Sequence, residues 1–232
     1  LQQSRLDRTT AEMVDVVAGA EPLQQFPAGT DWAYSNSGYI LLGAVIERVA
    51  GNYADALAEF PRPAGLTHTA VDEASDVVTG RASGYAASPD TERPFQNASF
   101  VAMTNAGASG ALRSTADDLN RWRAALLTGR LLGEASLSKL ITPVRLPSGE
   151  LPSDGSGGSI FYGGGVYLDP LAGAPAMRGG GAIQGFTANC DTVIGSRLSI
   201  CVLMNVQPHG APGFSAVGRE LTRAVQTVLA TA

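Results

Sequence analysis

The sequence predicts an α+β fold in which helices cover an antiparallel sheet and a mostly helical portion lies beside it. Three observations predict it. Segments beginning near Asn36, Ser114 and Phe214 repeat apolar residues at helical spacing. Two apolar, β-branched runs flank Gly195-Ser196 at hairpin spacing. From Pro143 to Gly165 the chain turns rich in Pro, Gly and Ser, as LPSGELPSDGSGG, which reads as a long loop or boundary. Residues 1–142 are therefore expected to form the helical portion, and residues 143–232 the sheet portion with a C-terminal helix.

Each element has its own signal. The first helix follows Asn36 and Ser37, both good N-caps, carries Ile40, Leu41, Ala44, Val45, Ile46 and Val49 on a broad apolar face, and stops at Gly51. The second starts at Ser114-Thr115, with Asp117 and Asp118 as capping acids, and its apolar face is Leu119, Trp122, Leu126 and Leu127 before Gly129. Short β-like runs then cover Ser159 to Tyr162, Gly165 to Leu168 and Ala176 to Arg178. In the hairpin from Phe186 to Asn205, a type II′ turn at Gly195-Ser196 sets Cys190 directly opposite Cys201. That spacing suits a disulfide and equally suits two small apolar thiols packed side by side, so no bond is assigned. A last helix repeats Phe214, Val217, Leu221, Val225 and Val228.

Composition removes several function classes. The 232 residues carry a net charge of −5 with singly scattered basic residues, which argues against a nucleic-acid partner. No apolar run is long enough to span a bilayer. The opening LQQSRLDRTT has no basic and apolar targeting pattern, and localisation stays unassigned. The two histidines, His68 and His209, sit in loop-like settings away from any nucleophile, so a Ser-His-Asp triad or a histidine metal site is not expected. Lys139 is the only lysine among 16 basic residues.

Five segments carry the chemistry. FPAGTDWAYSNSGYILLGAVIERVAG, GLTHT, GASGALRSTADDLNRW, YGGGVYL and GGGAIQGF follow one another from Phe26 toward the C-terminus. Together they resemble the penicillin-recognising serine hydrolases: the class C β-lactamases, the DD-peptidases and the family VIII esterases. The resemblance implies a β-lactamase/transpeptidase-like fold and a serine hydrolase that forms an acyl-enzyme on ester, amide or β-lactam substrates, without cofactor or metal. In that family a serine of an S-x-x-K motif attacks the acyl carbon, and a Y-x-N motif and a K-T-G-like strand complete the site. Tyr34 and Asn36 match the Y-x-N. A phenol with a pKa of about 10 is a poor base in water, but a neighbouring cation favours the phenolate and lets it relay protons. Asn36 then holds the substrate carbonyl.

Gly179-Gly180-Gly181-Ala182 stands at the third motif, which in relatives begins with Lys, His or Trp. The Ala182 amide matches an oxyanion donor, and the glycines allow close approach of a substrate. Gly179 replaces the side chain that would clamp a carboxylate, which favours an esterase. Arg178 points to the opposite face of the strand unless a bulge shifts the register. Ser136-Leu137-Ser138-Lys139 is an S-x-x-K string, but it follows the Y-x-N where the family places it before, in a stretch that reads as a surface helix. The nucleophilic serine and its lysine are therefore expected upstream of Leu1, the chain being an incomplete copy of the fold with an apolar groove and an open sheet edge. The alternative is a catalytically silent relative that binds peptide or peptidoglycan fragments. The acyl group, the leaving group and the oligomeric state are left open.

Overall fold

Helix α2, Asn36–Ala50, organises the helical portion of the computed structural model, which describes residues 3–90, 92–153, 156, 158–171, 173–196 and 198–207 together with 220, 223, 224, 227 and 228. Its N-cap is Ser35, whose hydroxyl accepts from the Gly38 N–H, rather than the expected Asn36 or Ser37. The cap matters because it leaves the Asn36 side chain free for another partner. Gly43 lets α2 approach the turn at Gly107–Ser109, since a Cβ there would lie 2.6 Å from the Ala108 methyl. Only Ile40 and Gly43 of α2 are buried. Leu41, Leu42, Val45, Ile46 and Val49 remain exposed, Val49 to 82%.

Two shorter helices flank it. Helix α1, Thr10–Ala18, is nucleated by a reciprocal capping box between Thr9 and Glu12 and buries only Met13. Helix α3, Tyr53–Glu59, is capped by Asn52, whose carbonyl oxygen accepts from the Asp55 N–H. Strands β1, Ala70–Val71, and β4, Leu112–Arg113, pair antiparallel, and between them β2, Tyr85–Ala87, and β3, Phe95–Asn97, form a small sheet.

Helix α4, Ala116–Leu127, starts where expected, with Thr115 as its cap accepting from the Asp118 N–H. The Asp118 side chain does not close a capping box. It is buried and accepts instead from the His68 N–H at 2.7 Å and the Thr69 hydroxyl at 2.9 Å, tying the GLTHT loop to α4. Helix α5, Glu134–Leu140, carries Ser136 and Lys139 on an exposed surface turn.

Beyond residue 143 the expected runs Ser159 to Tyr162 and Gly165 to Leu168 form only isolated bridges, Ser153 with Ser159 and Tyr162 with Tyr167. The sheet itself is β5, Ala176–Ile183, β6, Phe186–Val193, and β7, Ser199–Met204, in the order β5-β6-β7. Its register is the expected one, with Cys190 opposite Cys201, but the turn differs: the Ser196 N–H donates to the Val193 carbonyl, so the turn centres on Ile194-Gly195, with Gly195 at a φ of 81°, rather than on Gly195-Ser196. The two cysteines are joined as a disulfide, which decides between the two readings the spacing left open. Leu171, Ala176 and Val193 form a buried cluster at the turn end of the sheet. Strand β8, Val206–Gln207, leaves this sheet to pair parallel with β2. Of the C-terminal helix expected from Phe214, Glu220, Arg223, Ala224, Thr227 and Val228 are helical; the rest of it and His209 lie outside the described residues.

Candidate active site

Tyr34 and Asn36 flank the Ser35 cap at the start of α2. Their side chains meet, the Tyr34 hydroxyl donating to Asn36 Oδ1 at 2.9 Å, and Tyr34 is 61% exposed. Capping by Ser35 is the local cause. With the first-turn amide satisfied by the serine, the asparagine amide is available to its neighbour two residues back.

An aromatic cluster stands beside this pair. The rings of Trp32, Tyr162 and Tyr167 lie 5.0 to 6.3 Å apart between centroids. The Tyr39 and Tyr162 hydroxyls are 2.6 Å apart, which ties α2 to the 162–167 segment. Burial first, then the Tyr39 hydroxyl, pushes the Tyr162 phenol far up. Burial likewise raises Tyr167, with the hydroxyl of Tyr34 among the groups acting on it. Both phenols therefore stay protonated at neutral pH and act as fixed dipoles beside Tyr34. In YGGGVYL the two tyrosines flank a Gly-rich turn that folds Tyr162 back on Tyr167, and that spacing is the sequence signal for them.

Tyr167 also links the cluster to the sheet. It exchanges both backbone hydrogen bonds with Arg178, Arg178 N–H donating at 2.7 Å and Tyr167 N–H at 3.1 Å. Arg178 thus directs its amide away from β6. Because hydrogen-bonded and non-hydrogen-bonded positions alternate along an antiparallel pair, Gly180 and Ala182 direct theirs to the same outer edge. Both residues are exposed. This outer edge can accept an extended substrate or the oxygen of a carbonyl. The segment that carries Tyr34 is linked to this edge through Trp32, whose ring packs 6.3 Å from that of Tyr167, and through the Tyr167–Arg178 bridge.

The register from Ala176–Val193 to Ile183–Phe186 runs without a bulge, so Arg178 and Gly179 face opposite sides of β5. Arg178 makes a bidentate ion pair with the fully buried Asp191, at 3.1 and 3.3 Å. On the other side a Cβ on Gly179 would come within 3.0 Å of Nη2 of Arg123, from α4. That arginine is buried, 9% exposed, and donates to the carbonyls of Met177 at 3.0 Å and Cys190 at 3.4 Å. Burial presses its guanidinium below the ordinary value and the charge of Asp191 opposes the effect. The sequence offered no reason to single out Arg123. It sits between Trp122 and Ala124 in a run whose apolar face excludes it. Ser136 and Lys139 stay on α5, and His68 is engaged through Nδ1 with the Thr67 hydroxyl at 2.9 Å. No helix of the described residues is long and apolar enough to cross a membrane.

The family model described as Beta-lactamase matches residues 1–221. Penicillin-binding protein 4* of Bacillus subtilis is 28% identical over 157 residues, which are 63% of this chain and 35% of that protein. A D-stereospecific amidohydrolase from Streptomyces superposes with a TM-score of 0.73 at 26% identity, over 88% of this chain and 58% of its own. The D-amino acid amidase from Ochrobactrum anthropi, complexed with L-phenylalanine amide, gives a TM-score of 0.79 at 22% identity, over 97% and 65%. The chain thus spans about a third of the curated relative and under two thirds of these structures. The mixed arrangement of helices and small sheets is that of the β-lactamase/transpeptidase fold.

Proposed function

Because the chain belongs to the beta-lactamase family, we propose that it supplies the proton-relay and oxyanion side of a serine hydrolase acting through an acyl-enzyme on ester or amide substrates, with esters preferred. The observations that support this reading are the exposed Tyr34–Asn36 pair, the outward amides of Gly180 and Ala182, and the packing of Trp32, two residues before Tyr34, on Tyr167, whose backbone is bridged to Arg178 of β5. Amide hydrolysis in the names of two structural relatives supports the same bond class.

In this mechanism a serine hydroxyl attacks the acyl carbon. Tyr34 takes the hydroxyl proton and returns it to the departing alcohol or amine. Asn36 holds the substrate carbonyl side, and the Ala182 N–H donates to the oxygen as negative charge builds on it. Gly179, Gly180 and Gly181 form the floor along which the substrate lies. Water then attacks the acyl carbon and frees the acid. The nucleophile and its lysine come from a segment of the same protein that precedes Leu1. Two facts favour this over Ser136: α5 is an exposed surface helix, and α2 leaves an apolar face of Leu41, Leu42, Val45 and Val49 on which another helix can seat. Esters are preferred because Gly179 offers no side-chain donor to a carboxylate.

Rapid mixing of the intact protein with p-nitrophenyl butyrate tests the reading. A burst of about one equivalent of p-nitrophenol before a slower steady rate is expected of an acyl-enzyme. Peptide or peptidoglycan-fragment binding with neither burst nor turnover would instead identify a catalytically silent module.

A further inference from the structure

We propose that the cavity lined by α1, α2, α3 and strand β1 is a second binding site, for a small zwitterion of the α-amino acid class. It lies apart from the pair at Tyr34 and Asn36: Glu47, which lines it, stands about three turns along α2 from Asn36, or about 16 Å by helical rise. Binding there does not depend on the hydrolase reading above. The cavity holds about 180 Å³, on the order of tenfold what one water needs. Its floor is apolar, with Met13 of α1, Ile40 of α2 and Ala111 all buried.

Three polar side chains line this cavity and find no partner in the fold. Glu47 shares the inward stripe of α2 with Ile40 and Gly43, at i, i+3 and i+7, so a half-buried carboxylate stands where an apolar residue ordinarily would. Arg8, just before α1, is half-buried as well, and its charge acts on Glu12 only from beyond ion-pair distance. Burial pushes the Tyr53 phenol up, so at neutral pH it keeps a proton to donate. Among the described residues no hydrogen bond or ion pair engages the Glu47 carboxylate, the Arg8 guanidinium or the Tyr53 hydroxyl. Asp72 also lines the cavity, but its two oxygens are taken by Arg81 and Arg113. A carboxylate and a guanidinium that face one cavity without touching are complementary to a molecule carrying both charges. The ammonium of the ligand meets Glu47, its carboxylate meets Arg8 and the Tyr53 hydroxyl, and a short aliphatic side chain lies on the apolar floor. A ligand with a single charge leaves one of the two charged side chains unsatisfied.

Ligand-observed NMR of the intact protein tests this with three achiral probes: cycloleucine, which carries both charges, cyclopentylamine, which carries only the ammonium, and cyclopentanecarboxylate, which carries only the carboxylate. The unmodified protein is expected to bind cycloleucine about tenfold or more tightly than either single-charge probe. Glu47→Gln should erase its advantage over cyclopentanecarboxylate, and Arg8→Gln its advantage over cyclopentylamine. Tyr53→Phe, which keeps the ring, should weaken cycloleucine by about three- to tenfold. A molecule held at the candidate active site would not respond to these substitutions. A variant that failed to fold would lose all three probes together, and the comparison of probes in the unmodified protein then decides. Equal affinities for the three probes in the unmodified protein, no binding of cycloleucine at about 10 mM, or a preference that survives both charge substitutions would overturn the proposal. None of these readouts needs turnover, so a protein that hydrolyses no ester is tested in the same way.

Discussion

At the scale of single residues, the site depends on which side chain caps α2. Ser35 takes the Gly38 amide, so Asn36 turns to Tyr34 and the two form one unit at the helix N-terminus. Tyr34→Phe keeps the ring and removes the hydroxyl proposed to relay the proton. In the intact protein it should lower turnover of p-nitrophenyl butyrate by about 10²- to 10⁴-fold with the fold unchanged by circular dichroism. Activity within a few-fold of the unmodified protein would remove Tyr34 from the mechanism. Tyr34 and Asn36 were legible in the sequence because a motif with fixed spacing surrounds them. Arg123 and Tyr167 were not, because what distinguishes them is contact across the fold: a guanidinium against the bare Cα of a glycine, and a backbone bridge to β5.

At the scale of elements, local signals carried as far as hydrogen-bonding partners lie close in the chain. The hairpin β6–β7 keeps the register expected around Gly195, and α4 follows from its cap and apolar stripe. Helix α1 has both a capping box and apolar residues at helical spacing, Met13, Val14, Val16 and Val17, whereas the seven-residue α3 has a cap and no buried residue of its own. The segment from 159 to 168 has strand-like residues but folds back on itself around its glycines, and only bridges form. Asp118 shows how one side chain joins two elements. Burial works to raise its carboxyl, but the His68 N–H, the Thr69 hydroxyl and the Thr67 N–H together outweigh burial and hold it below the ordinary carboxylate range. A depressed folded value stabilises the protein above the unfolded value of about 4 and loses that contribution as the pH falls through the folded one. Asp118→Asn should therefore cost about 1–2 kcal/mol at pH 7, and the gap should narrow below about pH 4. Urea unfolding at pH 7 and pH 3 measures it; a gap that is constant across this range would show that the charge of Asp118 contributes nothing.

At the scale of the whole molecule, the exposed face of α2 and the outer edge of β5 are two surfaces prepared for something else. Leu41, Leu42, Val45 and Val49 are large apolar side chains on one helix, and the Gly180 and Ala182 amides point off the sheet. In the proposed mechanism a helix carrying the nucleophile would cover the first and a substrate would lie along the second. The overall fold class was readable because five ordered segments constrain it jointly, whereas the nucleophile was not, because the S-x-x-K string at Ser136 stands on a surface helix of the wrong chain order. Fluorophosphonate labelling of the intact protein followed by peptide mass mapping tests this most directly. The expected result is a single labelled serine in a segment preceding Leu1, with labelling slowed in Tyr34→Phe. A label on Ser136, or none on any serine, would contradict it.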